Sequence, residues 1–116
     1  MQSEITNQNG ICICSVSGDI DMYSAPALHK TYLDLASKAA SQSPFILDLE
    51  KTSYLDSSGI GVLVQILADM KRRQAPFVLC NIHGMAEKLL HLSHMSSVLP
   101  IEKTLINAIT RIRTTA

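Results

Sequence analysis

Tyr54-Leu55-Asp56-Ser57-Ser58-Gly59-Ile60-Gly61-Val62 is the stretch of this sequence that gathers reactive side chains: a carboxylate and two hydroxyls, followed by glycines. A hydroxyl beside a carboxylate raises nucleophilic catalysis first. A nucleophilic serine needs a base within hydrogen-bond reach, and Asp-Ser-Ser-Gly-Ile-Gly is not the Gly-x-Ser-x-Gly elbow of hydrolases. Gly59-x-Gly61 lacks the third glycine of a dinucleotide loop and sits well inside the chain rather than after its first strand. No Gly-Lys-Ser/Thr follows to cradle phosphates. What remains is a serine displayed at a helix N-terminus beside a carboxylate. The plainest structural role is that Asp56 or Ser57 caps the helix, while the glycines let the turn pass close to a sheet. Neither cap has Glu or Gln three residues on, so no capping box explains the pair of hydroxyls.

Other chemistry-bearing residues are scattered. Cys12 and Cys14 alternate with Ile11 and Ile13 as strand residues do, and with distant Cys80 they lack a fourth nearby ligand. They read as small core hydrophobes. His91-x-x-His94 is the one close histidine pair, and alone it does not make a metal site. The residues therefore assign no catalytic group, metal ligand or cofactor.

The elements that position the serine segment alternate in type. Ile11 to Val16 is a strand closed by Ser17-Gly18-Asp19, and residues 3 to 8 pair with it across Asn9-Gly10, a tight-hairpin dipeptide. From Ser24, a candidate N-cap with Pro26 in the first turn, Ala25, Leu28, Tyr32, Leu35, Ala36 and Ala39 follow helical spacing. Phe45 to Leu49 and Phe77 to Cys80 are short apolar runs, as strands buried on both faces require. Between them a second helix runs from Ser57 to about Arg73. Its core stripe is read as Ile60, Leu63, Val64, Leu67 and Met70, which leaves Val62 and Ile66 on the other side for a partner to cover. A third helix after Gly84 carries Met85, Leu89, Leu90 and Leu92. Val98 to Ile101 adds a short edge segment, and a last helix from Glu102 to about Arg113 carries Leu105, Ile109 and Ile112. The order predicts an α/β domain: a mixed, mostly parallel sheet of four to five strands and about four helices, mainly on one face.

The composition fits one domain spanning residues 1–116, with 47% hydrophobic and 17% charged residues. Aromatics at 4% are too few for stacking platforms on single-stranded nucleic acid. Ten basic residues offset ten acidic ones, so no global field attracts a polyanion. Direct nucleic-acid binding is not expected. The charge is unevenly placed: through Ser58 seven acids face three bases, and after it seven bases face three acids. Met1 to Gly10 lacks the pattern of a secretory signal, and no apolar run approaches the ~18 residues of a membrane span. The expected location is cytoplasmic, without membrane insertion.

Asp56-Ser57-Ser58-Gly59-Ile60-Gly61, preceded by the strand Ile46-Leu47-Asp48-Leu49, resembles the signature of the STAS family, in particular bacterial anti-sigma factor antagonists. Gly18-Asp19-Ile20-Asp21 stands where that family has Gly-Glu-Leu-Asp, and Ser24-Ala25 opens the first helix as it does there. The likeness covers essentially the whole chain. Two positions depart from it: His94 falls where a glycine is common, and Gly84 where a proline often starts the third helix.

The resemblance implies a regulator, not an enzyme. In such proteins the unphosphorylated antagonist binds an anti-sigma factor that is also a serine kinase, and so frees the sigma factor. The kinase, using ATP and Mg²⁺, phosphorylates the first serine after the motif aspartate, and a PP2C-type phosphatase reverses it. By position that serine is Ser57, with Asp56, Ser58 and Gly59 in support and Ser58 as a cap or backbone anchor. The implied partner surface joins Asp21, Met22 and Ser24 to Ile60, Val62 and Ile66. Other roles keep the same fold: a scaffold subunit of a stress-sensing complex or a lipid-transporting ABC assembly, or a partner switch acting on a target other than a sigma factor. Against an enzyme or small-ligand carrier using the same crevice, the sequence pairs no general base with a nucleophile and has no cofactor loop; turnover without any protein partner would revive that reading.

Overall fold

Asn9 and Gly10 both take positive φ, 53° and 86°, which matches the twist of the strands they join. This turn pairs β1 (Gln2–Gln8) with β2 (Ile11–Ser17) in antiparallel register, Gln8 opposite Ile11 and Gln2 opposite Ser17. The computed structural model describes residues 1 to 115. After the hairpin, every strand is parallel to its neighbour: β3 (Phe45–Lys51), β4 (Phe77–Cys80) and β5 (Ile101–Glu102) extend the sheet in the order β1-β2-β3-β4-β5.

The helices are α1 (Ala25–Lys38), α2 (Ser57–Arg72), α3 (Gly84–Leu92) and α4 (Leu105–Thr115), with a 3-10 turn at Met95–Ser97. From β2 onward the chain steps across the sheet in one direction, so crossovers of one hand put their helices on one face. Cys14, Val16, Leu47, Leu49 and Leu79 project into that layer and pack with Leu28 and Tyr32 of α1, Leu63 and Ile66 of α2, and Leu90 of α3. Tyr32 meets Phe45 edge-on at 5.4 Å between centroids, and Phe45 stacks on Phe77 at 5.9 Å. The opposite face, with Ile11, Ile13, Ile46, Val78 and Cys80, is covered by Ala108 and Ile112 of α4. Both strand faces are thus buried in the middle of the sheet, as the short apolar runs require. Cys14 and Cys80 are fully buried members of this core.

The expected architecture is present, with local differences. In α2 the buried face is Gly59, Val62, Leu63, Ile66, Leu67 and Met70, while Ile60 is half-buried and Val64 is exposed. Val62 (7% exposed) and Ile66 (0%) are core residues and offer no partner surface. In α3 it is Ala86 and Leu90 that are buried, while Met85 and Leu92 face solvent. The last strand comprises Ile101–Glu102 only, because Pro100 cannot donate to the ladder; its carbonyl instead accepts from Leu79 N at 2.8 Å. The final helix starts after Thr104, whose hydroxyl accepts from Asn107 N, and not at Glu102. His94 takes φ 60° and Gly84 φ 59°, so both departures from the family pattern sit at left-handed backbone, a conformation that excludes proline at 84.

Candidate functional site

The site lies at the C-terminal ends of the parallel strands, where two loops are stitched together. Ile20 N donates to Tyr54 O at 3.0 Å and Asp56 N donates to Ile20 O at 3.1 Å, a short parallel bridge that brings the β2–α1 loop against the start of α2. Ile20 and Leu55 are buried beneath it. Gly59 is the tight point: a Cβ there would stand 2.3 Å from Leu55 Cδ1 and 2.9 Å from the Ile20 carbonyl oxygen. That close approach of helix to loop requires glycine at this position. Gly61 has open space around it.

Asp56 is the N-cap of α2. Its Oδ1 accepts from Gly59 N at 3.1 Å, and its Oδ2 accepts from Met22 N in the facing loop, also at 3.1 Å. One carboxylate therefore both starts the helix and fixes the loop. Of the two candidate caps the structure selects Asp56. Ser57 and Ser58 stand exposed in the first turn, and among the described residues their hydroxyls and backbone N–H groups have no hydrogen-bond partner. Ser58 is therefore neither cap nor backbone anchor. Free amides at a helix N-terminus favour negative charge, so the first turn of α2 is a favourable place for an anion.

The facing loop has its own cap. Asp21 Oδ1 accepts from Tyr23 N at 2.9 Å and Ser24 N at 3.0 Å, while Ser24 Oγ accepts from Asp21 N at 3.0 Å. This is the reciprocal geometry of a capping box with a serine in the fourth place. Ser24 holds the N-cap position of α1, but its side chain makes no cap bond into the helix; the carboxylate of Asp21 organises the turn that leads into it. The Ser24 amide, more than any other neighbour, draws the exposed Asp21 carboxyl below its usual range. Asp21 is held as an anion whose position is fixed by backbone.

Around these polar groups stand apolar side chains with nothing to cover them. Met22 is 63% exposed, Tyr23 85% and Tyr54 44%. Neither Tyr23 nor Tyr54 is among the residues expected to form the partner surface. The signal that marks them is position: each is an aromatic in a loop that flanks one of the two acids, where packing gives no reason for a ring. The structure thus brings Asp21, Met22 and Ser24 together with Asp56, Ser57, Ser58 and Gly59, and it adds Tyr23 and Tyr54. It leaves Ile60 half-buried at the margin and removes Val62 and Ile66.

The STAS domain profile matches residues 2–108. The chain belongs to the STAS family. Among relatives, the anti-sigma-B factor antagonist of Bacillus subtilis (strain 168) is 30% identical over 95 residues, 82% of this chain and 84% of that protein. An anti-sigma factor antagonist from Mycobacterium paratuberculosis superposes with a TM-score of 0.85 at 24% identity, covering 97% of this chain and 93% of the other. The anti-sigma factor antagonist SpoIIAA, in its unphosphorylated form, superposes with a TM-score of 0.76 at 18% identity, covering 97% of each chain. Within the STAS fold of this chain, no three histidine, cysteine or acidic residues among those described converge as metal ligands. No described helix is long and apolar enough to cross a membrane.

Proposed function

We propose that this STAS domain is a cytoplasmic anti-sigma factor antagonist that acts by binding and not by catalysis. In its unphosphorylated form it binds an anti-sigma factor serine kinase and releases the sigma factor. The observation that carries the reading is the exposed Ser57 hydroxyl on the first turn of α2, beside an Asp56 whose carboxylate is already committed to Gly59 and Met22. A carboxylate so engaged positions the loops and is not available as a general base, which suits a serine that is acted upon by another protein.

In the switching step, Ser57 Oγ attacks the γ-phosphorus of ATP held by the kinase. The bond to the β–γ bridging oxygen breaks, ADP leaves, and the serine proton passes to a base of the kinase. A PP2C-type phosphatase hydrolyses the ester and restores the hydroxyl. Phosphorylation adds about −1.5 to −2 charges at pH 7. The amides of Ser57 and Ser58 receive that charge without unfolding α2, so the change is felt at the partner surface formed by Met22, Tyr23 and Tyr54. Burying a new dianion between Asp21 and Asp56 costs on the order of 3 kcal/mol, and that weakens binding about a hundredfold.

The test is reconstitution with the cognate anti-sigma factor kinase, read by phosphosite mapping and by affinity. Ser57→Ala is expected to bind the kinase and accept no phosphate, and Ser57→Asp to bind poorly. Full phosphorylation of Ser57→Ala would overturn the site, and equal affinity of Ser57→Asp would overturn the switch.

A further inference from the structure

We propose that the cavity at the hairpin end of the sheet binds a small amphipathic monoanion, of the chemistry of a medium-chain carboxylate. The cavity measures ≈ 350 Å³ and lies at the N-terminal ends of the parallel strands, between the hairpin, the C-terminal half of α1 and Pro44. Its walls are apolar: Ile5, Cys12, Tyr32, Leu35, Phe45 and Met70. Ile5 is the telling wall residue. It sits on the α1 side of the sheet opposite Cys14, which is fully buried, yet Ile5 itself is 42% exposed because α1 does not reach over the edge strand. An apolar recess is left between them, at the lower end of the size range of small-molecule pockets.

The rim selects the head group. Lys38 and Arg73 are the charged side chains lining the cavity, and no carboxylate lines it. Arg73 is already engaged: its Nε donates to Asp69 Oδ2 at 2.8 Å and its Nη1 to the Ala36 carbonyl at 3.3 Å. Lys38 takes part in none of the ion pairs among the described residues, so its ammonium is the counterpart for an anion. Thr6, Asn7 and Ser43 add neutral polar groups to the same margin. At roughly 30 Å³ per non-hydrogen atom the cavity takes about twelve such atoms, the size of decanoate. This site is separate from the proposed switch: the 14-residue α1 runs from the Asp21 loop to Lys38, a span of about 21 Å.

The experiment is an NMR titration of the isotopically labelled chain with decanoate and, separately, with decanol. Saturable shifts confined to Cys12, Leu35, Lys38 and Phe45, with the Ser57 turn unmoved, are expected from decanoate. Decanol should bind at least about tenfold more weakly, the loss of one charge-assisted contact. Lys38→Glu, at an exposed position that leaves folding intact, should erase that preference, and Leu35→Trp should fill the recess and block both ligands. In the unsubstituted protein, decanoate should also slow alkylation of Cys12, a readout that holds if the tryptophan variant fails to fold. The proposal is overturned by decanoate shifts that do not saturate below about 1 mM, by shifts outside the cavity, by equal affinity for decanol, or by an unchanged Cys12 rate.

Discussion

Asp56 holds the amide of Met22, 34 residues away in sequence, at 3.1 Å through Oδ2, while Oδ1 caps Gly59 at the same distance. The start of α2 and the loop before α1 are therefore one unit. Asp56→Ala should remove both bonds and destabilise the domain by about 1–2 kcal/mol, the range of a lost N-cap with a further loop contact. Asp56→Asn keeps an acceptor for Gly59 and should cost less. Urea unfolding gives the energies, and hydrogen exchange at the Met22 amide should accelerate in the alanine variant. An unchanged exchange rate there would separate the loop from the helix.

The two glycines of the motif should behave oppositely. A Cβ at 59 meets Leu55 Cδ1 at 2.3 Å and, less yieldingly, the backbone oxygen of Ile20 at 2.9 Å. Gly59→Ala should therefore lower stability by about 1–3 kcal/mol through overpacking. At 61 an added Cβ would meet nothing within 4 Å beyond its own stretch of helix, and the residue is helical. Gly61→Ala should be neutral or stabilising by up to about 1 kcal/mol, since alanine loses less backbone freedom in a helix. Thermal melts of the pair compare them directly.

Much of this unit was legible in the residues, and the reasons are local. Asn9-Gly10 specifies a hairpin because both positions need positive φ, and both have it. The Asp-Ser-Ser-Gly run specifies a helix start because carboxylate and hydroxyl are the capping groups, although the choice between Asp56 and Ser57 needed coordinates. The buried face of α2 differs from the expected stripe because Ile60-Gly61-Val62-Leu63-Val64 is apolar all round, and periodicity cannot choose a face of such a run. Gly59 holds the answer: counted from it, Val62, Leu63, Ile66, Leu67 and Met70 fall at three- and four-residue steps, and these are the buried positions. A glycine taken only as a turn residue hid its part in packing. The N-cap position of α1 is Ser24, as expected, yet its hydroxyl turns back to the preceding loop and makes no bond into the helix. Pro26 points to a helix start near Ala25, whereas Asp21 and Ser24 form their reciprocal bonds one turn earlier. The exposed Tyr23 and Tyr54 carry no periodic signal at all, and only the fold shows that they flank the same two acids.

The three thiols should differ in reactivity. Burial pushes the Cys14 thiol up to about 12, with neighbouring Cys12 adding to the shift. Burial likewise raises Cys80 to about 12, helped by the negative charges of Asp48 and Glu50. Cys12 is also raised by burial but is only partly covered, at the wall of the cavity. Since the thiolate is the reactive form, an alkylating reagent near pH 8 should modify Cys12 slowly and leave Cys14 and Cys80 intact until denaturant is added. Peptide mapping after timed alkylation checks the order. Early modification of Cys80 would contradict the packing of α4 on the second face.

Tyr32 links α1 to α2 through a hydrogen bond of 2.5 Å from its hydroxyl to Asp69 Oδ2. This bond, ahead of the contacts from Arg73 and Arg72, draws the Asp69 carboxyl below its ordinary value of 3.8. A carboxyl lowered in the folded state contributes stability that is present above its unfolded pKa and is lost as pH falls through the folded one. Tyr32→Phe should cost about 1–2 kcal/mol near pH 7, as for a hydrogen bond to a charged acceptor. The gap between variant and parent should then narrow below about pH 3.8, as Asp69 takes up its proton. The hydroxyl is itself raised well above the usual tyrosine value, first by burial and then by the bond to Asp69. That contribution is full below about pH 10 and is lost as pH rises further, so the gap should narrow at the alkaline end as well. Urea midpoints measured across the pH range test both limbs. A gap that stayed constant into acid would show that Tyr32 acts by packing against Phe45 and not through the carboxylate.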